Sequence, residues 1–177
     1  MRKQKSMNNK GFSLVELIIV IAIMAILIGV MAPQLLRYVE RTRVSSDTQF
    51  ADSVRTAVTT AMMDPAVIGA ADTSATSIQG LATATDLVTL MGTDNAFTRA
   101  IAETLGETAP GNITQAWVTA NLQSTPATAG TTMTIQVQTV NSNNVVVTIV
   151  GSNNNGNGQI VVGANATAPA AGGGGTP

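Results

Sequence analysis

The sequence contains no cysteine and no histidine. Without them there is no disulfide framework, no zinc or copper site of the usual kind, and no Ser-His or Cys-His nucleophilic pair. Aromatic residues make up only 3% of the chain and charged residues 11%, against a hydrophobic share of 45%. That balance is too apolar for a disordered chain and too poorly charged for an ordinary cytosolic enzyme. Charge is missing altogether after Glu107. At 177 residues there is room for one domain and one membrane segment.

The charges that are present are unevenly placed. Arg2, Lys3, Lys5 and Lys10 precede a long apolar run with no acid among them. From Val44 onward the bases are Arg55 and Arg99, facing Asp47, Asp52, Asp64, Asp72, Asp86, Asp94, Glu103 and Glu107. The C-terminal part is therefore acidic to neutral and has no electrostatic footprint for nucleic acid.

Phe12 to Ala32 reads FSLVELIIVIAIMAILIGVMA, apolar except for Ser13 and Glu16. As a helix it spans about 32 Å, enough to cross a bilayer core. A secretory signal peptide would have a shorter apolar core and a small-x-small site at its far end, which Gly29-Val30-Met31-Ala32 imitates poorly. A plain single-pass anchor fits the length. The basic leader places the N-terminus in the cytoplasm, although Arg37, Arg41 and Arg43 on the far side weaken that bias. A carboxylate inside a bilayer costs about 2.5–3.5 kcal/mol near the helix centre and less toward its edge. Glu16 is thus either a snorkelling acid near the interface or a buried group needing a cationic partner from another chain.

Lys10-Gly11-Phe12-Ser13-Leu14-Val15-Glu16-Leu17, after a short basic leader and opening an apolar helix, resembles the prepilin signature of type IV pilins and type II secretion pseudopilins. Pro33 falls where that family commonly places a helix proline. The resemblance covers about the first 40 residues and implies a membrane aspartyl peptidase that cuts between Gly11 and Phe12 and methylates the new Phe12 amine. It also implies that Glu16 pairs with the Phe12 ammonium of a neighbouring subunit during filament assembly. The expected segments are a leader (1–11), a long N-terminal helix (12–63, transmembrane over about 12–34), a globular α+β head (64–163) and a flexible tail (164–177).

Beyond the apolar run the helix turns amphipathic. Phe50, Val54, Ala57/Val58 and Ala61/Met62 recur at helical spacing, a stripe against which a head would pack. Arg41, Arg43, Asp47, Asp52 and Arg55 mostly fall on the solvated side. Asp64-Pro65 ends the helix, and a bend or loosening is expected between Gly29 and Pro33.

Pro65 to about Gly80 reads as a loop rich in small residues. Asp86 is placed to cap a helix through Leu90 or Met91, and Asp94 to cap Asn95–Leu105, with Gly106 as its stop. Ile113–Leu122 suggests a strand or a core-facing turn around Trp117, a residue read as packing rather than as a ligand platform. Met133, Ile135 and Val137 alternate with Thr134, Gln136 and Gln138, a half-buried strand. Asn141–Asn144 is turn chemistry, Val145–Val150 a second strand and Gln159–Val162 a third, giving an antiparallel meander on the helix stripe.

The chain departs from better-known pilins in having no C-terminal cysteine pair and no acidic cluster for the calcium site of major pseudopilins. Asn112-Ile113-Thr114 and Asn165-Ala166-Thr167 match the glycosylation sequon, as chance matches do in an Asn/Thr-rich chain. No catalytic residue, metal or cofactor is expected, since residues beyond the helix offer no histidine, cysteine, lysine or paired-acid motif. The expected function is that of a major pilin-like structural subunit that polymerises into a type IV pilus filament serving adhesion or motility. A pseudopilin of a secretion or DNA-uptake apparatus is the alternative. The implied partners are other copies of the chain, the prepilin peptidase/methyltransferase, an inner-membrane platform with its motor ATPase, and the bilayer before assembly.

Overall fold

The computed structural model describes residues 12–140, 144–154 and 158–163. The chain divides into two compact units after Val39. In the first, the described residues from Leu14 onward are helical and their side chains are exposed throughout. Leu14–Met63 (α1) is apolar and long enough over its N-terminal part to cross a membrane, and the most apolar window is 0% buried. The helix continues without interruption across Gly29 and Pro33, with the proline inside it. Proline lacks the N–H that would bond the Gly29 carbonyl, so one rung of the ladder is absent there.

In the second unit α1 carries a buried stripe at Asp47, Ala51, Val54, Ala57, Val58 and Ala61. Phe50 and Met62 flank it, partly buried against the same core. The expected apolar stripe is therefore present. Asp47 departs from expectation: it lies in the stripe and is fully buried rather than solvated. Its burial is compatible with charge because the loop after Asn121 turns backbone N–H groups toward it, as described below.

Thr85–Asp86 (β1), Thr134–Val140 (β2), Asn144–Val150 (β3) and Gln159–Val162 (β4) form an antiparallel sheet in the order β1-β2-β3-β4. Ile135 pairs with Ile149 and Ile149 with Ile160, while Val137 pairs with Val147 and Val147 with Val162. Those rows of β-branched side chains are buried and form the sheet's core face. The expected α+β architecture, a long helix with a small antiparallel sheet, is what the fold shows.

Short helices fill the remaining core. The segment expected to be a loop contains Pro65–Ile68 (α2) and Ser74–Gly80 (α3). Aspartate hydrogen bonds to N–H groups at the helix starts outweigh its small-residue composition. Asp64 Oδ1 accepts the Ala66 N–H at 2.8 Å with Pro65 in the first helical position, and Asp72 Oδ1 accepts the Ser74 N–H at 2.8 Å. Asp86 caps Leu87–Met91 (α4) as expected, accepting from Val88 and Thr89.

Ala96–Thr104 (α5) is capped by Asn95 rather than Asp94. Asn95 exchanges hydrogen bonds with Thr98 in a capping box, while Asp94 turns outward to Arg99 at 2.7 Å. Gly106, at φ 84°, ends α5 in the left-handed conformation, with Gly106 N donating to Glu103 O and Glu107 N to Ala102 O. Around Trp117 the expected strand or turn is instead a helix, Gln115–Asn121 (α6), because the Thr114 hydroxyl accepts the Trp117 N–H and caps it. Phe97, Leu81, Leu87, Met91 and Ile101 from these elements are fully buried and join Val54 and Val58 of α1 in one core. Each such side chain contributes about 1.5–3 kcal/mol by burial. The expected flexible tail, 164–177, lies outside the described residues.

Candidate functional site

The sequence directs attention to the start of α1. Phe12 is 90% exposed and precedes the helix, and the Ser13 carbonyl accepts the Leu17 N–H at 3.2 Å. Glu16 stands in the first turn, where its Oε2 accepts the Ser13 backbone N–H at 2.9 Å. This is the side-chain half of an S-x-x-E capping arrangement, which satisfies one of the N–H groups a helix N-terminus leaves unbonded. A carboxylate there is also favoured by the helix dipole. Glu16 thus has a partner within its own chain, a role legible from the Ser13-Leu14-Val15-Glu16 spacing though not among the expectations above. Gly11, on the other side of the expected cleavage bond, lies outside the described residues.

The start of α1 presents a continuous apolar surface. Ile18, Ile19, Ile21, Ile23 and Leu27 are each at least half exposed, an apolar surface suited to lipid or to other apolar helices. Among the described residues no group of three or more His, Cys, Asp or Glu side chains is placed to hold a metal.

A second constellation, not foreseen, lies where α1 meets the loop after α6. Buried Asp47 accepts the Gln123 N–H at 2.7 Å through Oδ1 and the Ser124 N–H at 2.9 Å through Oδ2. Glu40 accepts the Thr125 N–H at 2.8 Å and the Thr125 hydroxyl at 2.7 Å. The Ser124 and Ser152 hydroxyls are 2.8 Å apart, and Asn153 N donates to Thr125 O at 2.8 Å. The loop is therefore clamped to α1 on one side and to the end of β3 on the other. Nearby, Trp117 packs against Phe50 in a tilted arrangement, ring centroids 5.6 Å apart and planes at 49°, and donates its indole N–H to Glu107 at 2.7 Å. That satisfied, half-buried geometry is a packing role, as expected.

A further set of polar groups ties α3 to α5. Asp72 Oδ2 accepts the Ala96 N–H at 2.6 Å and Ser74 Oγ accepts the Phe97 N–H at 3.0 Å. Hydrogen bonds from the Ser74 side chain first, then from the Ala96 and Ser74 backbones, lower the Asp72 pKa below its usual value. Asp94 is lowered chiefly by its hydrogen bond from Arg99, whose own pKa is raised by the same contact.

Residues 6–32 match the prokaryotic N-terminal methylation motif family. The match takes in the start of α1 and leaves the rest of the chain unmatched. Glu16, the Ser13 cap and the first apolar turns of α1 all lie inside the matched motif. Curated relatives include three proteins described as type IV major fimbrial protein FimA from Dichelobacter nodosus, each 42% identical over 55 residues. The alignments cover 31% of this chain and 34–35% of the relatives, so the chain spans about a third of the length of the curated pilins it matches. No solved structure matches the chain at a significant level.

Proposed function

We propose that this chain is a prepilin, cut between Gly11 and Phe12, whose mature form is a structural subunit of a type IV pilus filament. The observation that carries the proposal is the placement of Glu16 in the first turn of the exposed, apolar N-terminal part of α1, inside the matched motif. Cleavage after Gly11 would create a cationic amine on Phe12, four residues before that carboxylate. In lipid or in a filament core, where water does not screen it, an ammonium–carboxylate pair is far stronger than on a surface. An unpaired Glu16 would be penalised there, so pairing with a neighbour's Phe12 selects one axial register. N-methylation of Phe12 leaves the charge in place.

Transfer of the apolar helix from bilayer to filament exchanges one apolar environment for another, which makes assembly accessible to a motor-driven platform. The subunit would wait in the cytoplasmic membrane with its leader inside and its sheet-bearing unit outside, then become extracellular in the fibre. Similarity to major fimbrial proteins favours a pilus over the pseudopilus alternative. The test is to express the full chain with its native peptidase and platform, shear the cells and look for fibres. Glu16→Ala should be inserted and cleaved yet yield no sheared fibre; wild-type yield would sink the register argument.

A further inference from the structure

Within the second unit, the part of α1 over 40–63 carries the charged residues Glu40, Arg41, Arg43, Asp47, Asp52 and Arg55. Most of them are engaged inside the chain. Glu40 accepts from Thr125, and Asp47 from Gln123 and Ser124. Arg43 lies 3.8 Å from Glu40, and the Arg55 Nε–H donates to the Val145 carbonyl at 2.9 Å. Arg41 and Asp52 are left. Both are exposed, and neither side chain has a hydrogen bond or ion pair among the described residues. Eleven positions separate them. That spacing is three helical turns plus about 20°, so the two share one face of α1 at about 16–17 Å along its axis. The distance rules out a bond within one chain. Ser45 and Gln49, at four-residue steps from Arg41, lie between them and are exposed and uncharged.

We propose that this face of α1 docks on the same face of a second copy that runs parallel to it and is displaced by about 16–17 Å, so that Arg41 of one copy pairs with Asp52 of the next. The inference rests on the filament reading above, in which all copies run in one direction. Without displacement, a parallel pair would set Arg41 against Arg41 and Asp52 against Asp52, and like charges brought together at a contact are strongly disfavoured. Displacement by three turns replaces both repulsions with an attraction. A guanidinium suits a carboxylate through its paired N–H donors. The displaced contact is also heterologous: each copy keeps an unmatched Arg41 at one end and an unmatched Asp52 at the other, so the contact repeats without closing. An antiparallel contact would match both charges at once and stop at a dimer. The uncharged Ser45 and Gln49 place no competing ion between the paired groups.

The full chain would be expressed with its native peptidase and platform, and sheared fibre measured for the wild type, R41D, D52R and the exchange R41D/D52R. Each single reversal brings like charges together and should lower fibre yield by about tenfold or more, while the exchange should return it to within about twofold of wild type. Wild-type yield from both single reversals, or no recovery in the exchange, overturns the proposal. The chain has no cysteine of its own, so R41C/D52C supplies a geometric readout. Disulfides join Cα atoms about 4.4–6.8 Å apart, so oxidation of this variant can link only separate copies. Its oxidised fibres should run as a ladder of dimers, trimers and longer products in denaturing gels. Monomers alone overturn the proposal, and so does a product that stops at dimers, which is the antiparallel pair. Absence of fibre from the wild type would remove the filament reading itself and this contact with it; wild-type fibre that ignores the charge reversals removes only the contact.

Discussion

Asp47 and Ser124 are 77 residues apart in sequence, yet the fully buried Asp47 carboxylate accepts the Ser124 backbone N–H at 2.9 Å. With the Gln123 N–H at 2.7 Å on its other oxygen, the acid anchors the loop leaving α6 to the middle of α1. Removing the carboxylate leaves buried N–H groups without a partner, the costly half of any hydrogen-bond deletion. Asp47→Ala should destabilise the chain by about 2–4 kcal/mol. Asp47→Asn retains one acceptor but turns an NH2 group on the second N–H, and should cost about 1–3 kcal/mol. Urea titration followed by Trp117 fluorescence checks both, and wild-type midpoints would show that the loop does not depend on Asp47.

Glu40 performs the neighbouring half of the clamp in a wetter setting, its side chain 24% exposed. Glu40→Ala should therefore cost less than Asp47→Ala, about 0.5–1.5 kcal/mol. Since both acids hold consecutive residues of one loop, the double variant should lose less than the sum of the single losses. A double-mutant cycle from the same urea titrations reads this coupling; strict additivity would contradict a shared clamp.

Gly163 follows β4 at φ 140°, and a Cβ there would lie 2.8 Å from the Val145 carbonyl oxygen. That same oxygen accepts the Arg55 Nε–H at 2.9 Å, so it is held from the α1 side and has little freedom to withdraw. Gly163→Ala should cost about 1–3 kcal/mol. Thermal melts of the purified chain check this, with Gly158→Ala, where an added Cβ meets nothing, as the comparison for backbone strain alone.

Asp72 and Asp94 have pKa values lowered by the hydrogen bonds described above. A carboxyl whose folded-state pKa is depressed adds stability that is fully present above its unfolded value, here 3.8, and is lost as pH falls through the lower folded value. The acid limb of the stability curve should therefore lie below about pH 4. Asp72→Asn should flatten it without shifting stability's dependence on pH near neutrality. Carboxyl-carbon NMR titration gives the direct check: an Asp72 midpoint at or above 3.8 would contradict the Ser74 and Ala96 contacts.

Much of this fold was legible in the sequence because its signals are local and periodic. The α1 stripe from Val54 to Ala61, the Asp86 cap, the Gly106 stop and the alternation of Met133, Ile135 and Val137 each follow from spacing alone. What escaped depends on distant partners or on competing local chemistry. Asp47 reads as solvated until the loop 76 residues later supplies its donors. Its spacing from Ala51, Val54, Val58 and Ala61 was nevertheless a signal of burial. The small-residue stretch after Pro65 gave no apolar period, so α2 and α3 emerge only from the cap at Asp64 and the hydrogen bond from Ser74 N–H to Asp72. Asn95 displaced Asp94 as a cap because it reaches Thr98 reciprocally, whereas Asp94 is drawn to Arg99. At the candidate site the sequence identified Glu16 but not the Ser13 N–H that receives it.

That contact sharpens the central claim. Glu16 is held by the Ser13 backbone of its own chain; if the chain is cut as proposed, the Phe12 amine would lie one residue from that N–H. The decisive measurement is the intact mass and N-terminal sequence of the protein isolated from native cells. A chain beginning at methylated Phe12 is the predicted result. One that begins at Met1, or is cut beyond Ala32, contradicts the account.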